Sequence, residues 1–187
     1  GRHLVRGELH RLDELGLLGD HSCIAHCIHL SAEERRLLAA RGAHVCHCPS
    51  SNLKLASGIC QVPELIAAGI SVALGTDGAP CNNNLDGFVE LRLAALLHKP
   101  RTGPRTLPAP EIVRMATLGG AAALGLADQI GSLEIGKRGD VIAVDITALH
   151  TVPTASPWSA IAYAAHSCDI RHVAVDGAIV VRDGVLH

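Results

Sequence analysis

Apolar and polar positions along the first 126 residues switch repeatedly between a helical period and short runs of strand type. Leu9, Leu12 and Leu15 recur at helical spacing within residues 8–18, and Gly19 is placed to stop that helix. Ser22-Cys-Ile-Ala-His-Cys27 is short and nearly all apolar, the pattern of a strand buried on both faces. Ser31 and Glu34 form a capping box, and the helix it opens runs through Leu37, Leu38 and Ala40 to Gly42. Ala43-His-Val-Cys-His-Cys48 reads as the next strand, ended by Pro49, with a polar loop over residues 50–58. Pro63 opens a short helix closed by Gly69, and Ser71-Val-Ala-Leu runs as a buried strand into the turn Gly75-Thr-Asp-Gly78. Strand, helix, strand, helix, strand is the repeat of a parallel sheet with right-handed crossovers. It fits a (β/α) barrel or an open doubly wound sheet. No G-x-G-x-x-G follows a strand, which weighs against a dinucleotide-binding fold.

After Asp77 an Asn-rich loop, residues 81–84, leads into a helix over about 85–98 with Phe88, Leu91 and Ala95 on its apolar stripe. A loop over 100–110 holds four prolines, and a second helix spans about 111–118. The pattern changes near residue 127. Residues 131–139 are turn-rich, 140–146 alternate like a strand, 158–165 are helix-like, and 171–182 read as two β runs around Asp176-Gly177, a hairpin signal. The expected organisation is an α/β unit over residues 1–126 and a smaller β unit over 127–187.

Composition narrows the function classes. The 187 residues are 48% hydrophobic and 18% charged, a globular balance. The formal net charge of −2, without any Lys/Arg block, points away from nucleic acid and from anionic membrane surfaces as partners. No apolar run approaches the roughly 18 residues of a membrane span. Seven scattered cysteines without a C-x-x-C fit a reducing cytoplasm better than a disulfide scaffold. With Phe88, Trp158 and Tyr163 as its aromatic residues, the chain offers few walls for stacking a ring.

The candidate chemistry lies at the ends of the three predicted strands. His26 and His29 end the first, His47 the second and Asp77 the third. In parallel α/β folds the C-terminal strand ends line one rim, where function resides. Imidazole and carboxylate groups converging there could hold a divalent metal such as zinc. Asp77 also has a plainer reading, as a turn-capping residue. Strand parity puts His44 and His47 on opposite faces, so one of them at most can face a shared site. The same parity argues against Cys46-His47-Cys48 as a zinc knuckle. Neither a P-C-x-x-C deaminase site nor a G-x-S-x-G nucleophile elbow is present.

Three stretches carry a family resemblance: Ala25-His-Cys-Ile-His-Leu30, His47-Cys-Pro-Ser-Ser-Asn-Leu-Lys-Leu-Ala-Ser-Gly58, and Leu74-Gly-Thr-Asp-Gly-Ala-Pro-Cys-Asn-Asn83. With Gly131-Ser-Leu-Glu-Ile-Gly-Lys-Arg-Gly-Asp-Val-Ile-Ala-Val-Asp145, they resemble the amidohydrolase superfamily. Within it they are most similar to the branch of 5-methylthioadenosine/S-adenosylhomocysteine deaminases and triazine chlorohydrolases. The resemblance covers residues 20–187. It implies an α/β fold: a partial (β/α)8 TIM barrel, with Ser22–His26, Ala43–His47 and Ser71–Asp77 as strands six to eight, followed by part of a β-sandwich.

By the same resemblance, Asp77 would be a metal ligand and would accept the proton of the attacking water. His26 would contact the substrate or that water, and Cys81 would approach the substrate base. The implied cofactor is Zn2+, with Fe2+ the alternative. The implied activity is hydrolytic deamination of an adenosine-type purine, a small-molecule substrate, in an enzyme that is a homo-oligomer at full length. Chlorohydrolysis and guanine or 8-oxoguanine deamination are alternatives on the same scaffold, and a non-catalytic structural α/β fragment is a third. The chain departs from the family pattern in one respect. The H-x-H of strand one and the H-x-x-E of strand five do not occur in it. The expectation is therefore a C-terminal part of a longer enzyme, inactive by itself.

Overall fold

A computed structural model describes residues 7–187 of the chain. Three short strands, β1 (Cys23–Ala25), β2 (His44–His47) and β3 (Val72–Leu74), form a parallel sheet in the order β1-β2-β3. Cys23 pairs with His44, Val45 with Val72, and His47 with Leu74. Helix α1 (Glu8–Glu14) precedes the sheet, and α2 (Ala32–Arg41) crosses from β1 to β2. Both halves of the Ser31/Glu34 capping box are made at the start of α2, and Gly42 closes the helix in the left-handed region at φ 69.

The crossover from β2 to β3 departs from the sequence reading. It contains α3 (Pro49–Lys54) as well as α4 (Val62–Ala67). The segment expected as a polar loop is thus a turn-and-a-half of helix for its first part. Pro49 does not merely end β2. It takes the first helical position, where a missing N–H costs nothing.

The sheet is covered on one face. Val45, His47 and Val72 are buried there, together with Leu38, Leu65, Ile112 and Met115. Each fully buried Leu or Ile of this cluster contributes roughly 1.5–3 kcal/mol relative to exposure. The other face is more open: Cys23 and Ala25 are exposed and His44 and Cys46 partly so, while Ala73, which pairs with Cys46, is buried. β1 is therefore not buried on both faces as its apolar run suggested.

Beyond β3 come α5 (Ala79–Asn82), α6 (Gly87–Leu97) and α7 (Lys99–Thr102). The expected stripe of α6 is the buried one, with Phe88, Leu91 and Ala95 at 7% exposure or less. Helix α8 (Ala109–Arg114) continues through a π turn (Met115–Gly119) into α9 (Gly120–Ala123). The π turn lies against β3 so closely that a Cβ on Gly119 would meet the Val72 carbonyl oxygen at 2.5 Å.

The last 50 residues form a four-stranded antiparallel sheet, β4 (Val141–Val144), β5 (Ile170–Val175), β6 (Ala178–Arg182) and β7 (Val185–Leu186), in sequential order. A short helix, α10 (Pro157–Ser159), runs into a π turn (Ala160–Ala164) between β4 and β5. The β5–β6 hairpin turns at Asp176 (φ 51) and Gly177 (φ 80), both left-handed, as a two-residue primed turn requires. Val141, Ile142, Val175 and Ile179 remain exposed on this sheet. No helix among the described residues is long and apolar enough to cross a membrane.

Candidate functional site

β1 and β3 both end in non-glycine residues with left-handed backbone: His26 at φ 68, Cys27 at φ 46 and Asp77 at φ 63. Such torsions carry a cost and persist where surrounding contacts hold them. His26 N donates to the Cys46 carbonyl at 2.9 Å, which continues the sheet ladder one residue past β1. Gly78 N donates to Asp77 Oδ1 at 2.7 Å, which closes the turn after β3. The two irregular strand ends bring His26 Nε2 to 3.8 Å from Asp77 Oδ2.

The first turn of α3 holds both side chains. Ser51 Oγ donates to Asp77 Oδ2 at 2.5 Å, and His26 Nδ1 lies 2.8 Å from Asn52 Oδ1. Ser51 and Asn52 are themselves buried, at 1% and 2% exposure. Two adjacent residues of one helix therefore orient the two groups that end β1 and β3. An amide oxygen can only accept, so His26 donates through Nδ1 and the neutral ring carries its lone pair on Nε2, towards the Asp77 carboxylate. The Ser51 hydroxyl holds the Asp77 carboxyl below the usual carboxylate range. The Gly78 N–H adds to this, burial opposes it, and His26 and the Cys81 thiol lower it further by less than burial raises it. Asp77 is therefore an ionised acceptor at neutral pH. It also has the turn-capping role of the plainer reading, through its other oxygen.

The structure brings together His26, Asp77 and Cys81 of the residues singled out from sequence, and leaves His29 and His47 elsewhere. His29 Nε2 bonds the Ser57 carbonyl at 3.0 Å on the surface. His47 shares the inner face of β2 with Val45, both at 0% exposure, with its ring 6.2 Å from that of His98. Burial, with a smaller effect of His98, pushes the His47 pKa down to about 3, so it is a neutral core residue. The sulfurs of Cys46 and Cys48 lie 3.9 Å apart on the opposite side from His47, which removes the histidine from any Cys-His-Cys site. Among the described residues, no three His, Cys, Asp or Glu side chains gather as a metal site.

Sequence reasoning missed Ser51 and Asn52. Their partners lie 26 residues away in each case, and no local period connects them. The available signal was the polar pair that follows Pro49, residues that favour capping and side-chain hydrogen bonds over a helix interior.

The chain is 49% identical over 173 residues to a 5-methylthioadenosine/S-adenosylhomocysteine deaminase of Syntrophobacter fumaroxidans, a match covering 92% of this chain and 40% of that protein. An adenosine deaminase from Xanthomonas campestris, solved with bound zinc, superposes with a TM-score of 0.93 at 44% identity, over 96% of this chain and 41% of that one. An atrazine chlorohydrolase from Arthrobacter aurescens complexed with zinc gives a TM-score of 0.87 at 30% identity, over 94% and 39% of the two chains. The chain thus spans about two fifths of the length of the relatives it matches. Residues 1–180 match the amidohydrolase family, and with an α/β fold shared with solved members the chain belongs to that family.

Proposed function

We propose that the chain forms the closing part of a metal-dependent hydrolytic deaminase that acts on an adenosine-type purine. In this reading β1, β2 and β3 are strands six, seven and eight of a (β/α)8 barrel. Residues 127–187 form the C-terminal portion of a β-sandwich, and the remaining strands are supplied outside these residues. The observation that carries the reading is the His26 Nε2 to Asp77 Oδ2 approach of 3.8 Å, with His26 Nδ1 engaged by Asn52 and the two Asp77 oxygens each accepting one hydrogen bond, from Ser51 and Gly78. A carboxylate oxygen has a second lone pair, so Oδ2 can still act as a lone-pair donor beside Nε2 at the strand ends. That donor set suits zinc, which accepts imidazole and carboxylate together.

Asp77 would be a ligand of the metal, and His26 would lie beside it against the substrate or the attacking water. When bound, the metal supplies Lewis acidity that makes water a nucleophile near neutral pH. The work of the chain's own residues is then proton handling and orientation. Asp77, ionised and anchored by Ser51, accepts the proton of the attacking water. His26, fixed in one tautomer by Asn52, orients it. Cys81, whose thiol helps lower the Asp77 pKa, would stand where the purine base approaches. In the net reaction water adds at the amino-bearing ring carbon and ammonia leaves. The names of the relatives support an adenosine derivative as substrate, since the 49% identical protein is a 5-methylthioadenosine/S-adenosylhomocysteine deaminase.

The test is turnover of 5′-methylthioadenosine by the protein with its barrel complete and zinc bound, followed by the ultraviolet shift from adenine to hypoxanthine. A shift with stoichiometric ammonia release is the expected result. Dechlorination of a triazine without any purine turnover would move the assignment to the chlorohydrolase on the same scaffold.

A further inference from the structure

Glu90, on the first turns of α6, is 1% exposed. A carboxylate is costly to remove from water unless hydrogen bonds replace its hydration. Here amide donors serve both oxygens. Ser50 N donates to Oε2 at 3.0 Å, and Asn82 Nδ2 donates to Oε1 at 2.9 Å. The two donors come from different short helices, Ser50 on α3 after β2 and Asn82 on α5 after β3. Each lies one step from the site. Ser50 precedes Ser51, whose hydroxyl bonds Asp77. Asn82 Nδ2 also donates to the carbonyl of Thr76 at 2.7 Å, the residue before Asp77. The segment after β3 is further closed on itself by Asn84 N, which donates to Asn82 Oδ1 at 3.3 Å.

A side chain between these segments must accept at both ends. Glutamine, of the same length, has an acceptor at one end and a donor at the other, and its NH2 would face an N–H in either orientation. An apolar residue would fill the space but leave both donors unpaired, so the double acceptor is what ties the two segments together. We propose that Glu90 is a positioning residue for the site carboxylate. It clamps the Ser50–Ser51 turn and the Thr76–Asp77 turn in the register that makes the Ser51–Asp77 hydrogen bond. The inference rests on the reading of Asp77 as the catalytic carboxylate.

The experiment compares wild type, Glu90→Gln, Ser51→Ala and the double variant in the zinc-loaded protein with its barrel complete. Two quantities are read: steady-state kinetics with 5′-methylthioadenosine, and hydrogen–deuterium exchange of peptides covering residues 49–54 and 76–83. Misplacement of a reacting group by about 1 Å costs roughly 100-fold, so Glu90→Gln is expected to lower kcat by about 10- to 100-fold. KM should change by less than about twofold, because the loss falls on the chemical step. Since Glu90 acts through Ser51, the double variant should lie within about threefold of Glu90→Gln instead of showing the product of the two losses. Exchange should quicken in both peptides together.

Multiplicative losses, or faster exchange in one peptide alone, would overturn the proposal, as would an unchanged kcat. Should Glu90→Gln fail to fold, Asn82→Ala cuts one arm of the clamp and must reproduce the kcat loss; an undiminished kcat overturns the proposal equally. If wild type itself shows no purine turnover, the functional reading fails, and the paired exchange response then decides the clamp by itself.

Discussion

Ser51 Oγ donates to Asp77 Oδ2 at 2.5 Å, although Ser51 lies in the crossover from β2 to β3 and Asp77 lies beyond the end of β3. The bond ties the first turn of α3 to the end of β3, and its neighbour Asn52 ties the same turn to His26 at the end of β1. One short helix therefore sets the orientation of both candidate site residues. Most of what can be tested follows from that arrangement.

Removing the Ser51 hydroxyl should weaken Asp77 without displacing the backbone. The Ser51 bond is the largest influence that lowers the Asp77 pKa, so Ser51→Ala lets that pKa rise. A carboxylate that must be ionised is then lost at higher pH, and the acid limb of the kcat/KM profile should move upward. The loss at the optimum should be about 10-fold, the size expected for one charge-assisted hydrogen bond. An acid limb that stays in place would separate Asp77 from proton transfer.

Asn52 should matter as a fixed acceptor. Asn52→Leu keeps the bulk but leaves His26 Nδ1 without a partner, and kcat/KM should fall by about 10- to 100-fold, as for other residues that orient a ligand from behind. Asn52→Asp keeps an oxygen at 2.8 Å from Nδ1 and should retain much more activity than the leucine variant. Equal losses in the two variants would mean that the tautomer of His26 is not what Asn52 controls.

The core makes a separate prediction about acid. His47 is fully buried, both of its ring nitrogens lack a hydrogen-bond partner among the described residues, and its pKa is pushed down to about 3. The unfolded chain takes up a proton below about pH 6.5, whereas the folded chain does not until about pH 3, so stability is complete above this window and falls as pH drops through it. Between pH 6.5 and 5 the loss from this residue is about 2 kcal/mol. Burial lowers the pKa of His98 as well, and its contribution has the same sign. His47→Leu should flatten the difference between urea midpoints measured at pH 7.5 and 5 by about that amount. An unchanged pH dependence would place His47 in contact with water.

The parallel sheet and the π turn leave no room at one position. A Cβ at Gly119 would stand 2.5 Å from the Val72 carbonyl oxygen, a backbone atom that cannot swing away. Gly119→Ala should therefore destabilise the protein by about 1–3 kcal/mol, the cost of overpacking, despite alanine's better helix propensity. Melting temperature or urea midpoint checks this, and a stabilised variant would contradict the close packing of the π turn on β3.

Local rules carried much of the fold. The capping box at Ser31 and Glu34, the left-handed stop at Gly42 and the primed turn at Asp176-Gly177 each follow from a few adjacent residues, and each appears where the pattern placed it. The strand ends with His26 and Asp77 were legible for the same reason. Two things were not. Residues 50–54 are short and polar and look like loop, yet they fold as helix because Pro49 opens the turn and its buried polar side chains find partners 26 residues away. Parity restricted His44 and His47 to one candidate for the rim but could not choose the side. The choice came from packing, with His47 placed against His98 beneath the sheet.

The most direct test of the account is the activity of Asp77→Asn in the protein with its barrel complete. Asparagine keeps the shape, with its amide oxygen able to accept from the Gly78 N–H and its NH2 able to donate to the Ser51 hydroxyl, but it cannot take a proton from water. If Asp77 is the proton acceptor, 5′-methylthioadenosine deamination, read by the ultraviolet shift to the hypoxanthine product, should fall by about 100- to 10,000-fold with the fold intact. Turnover within a few-fold of wild type would contradict the account at its centre.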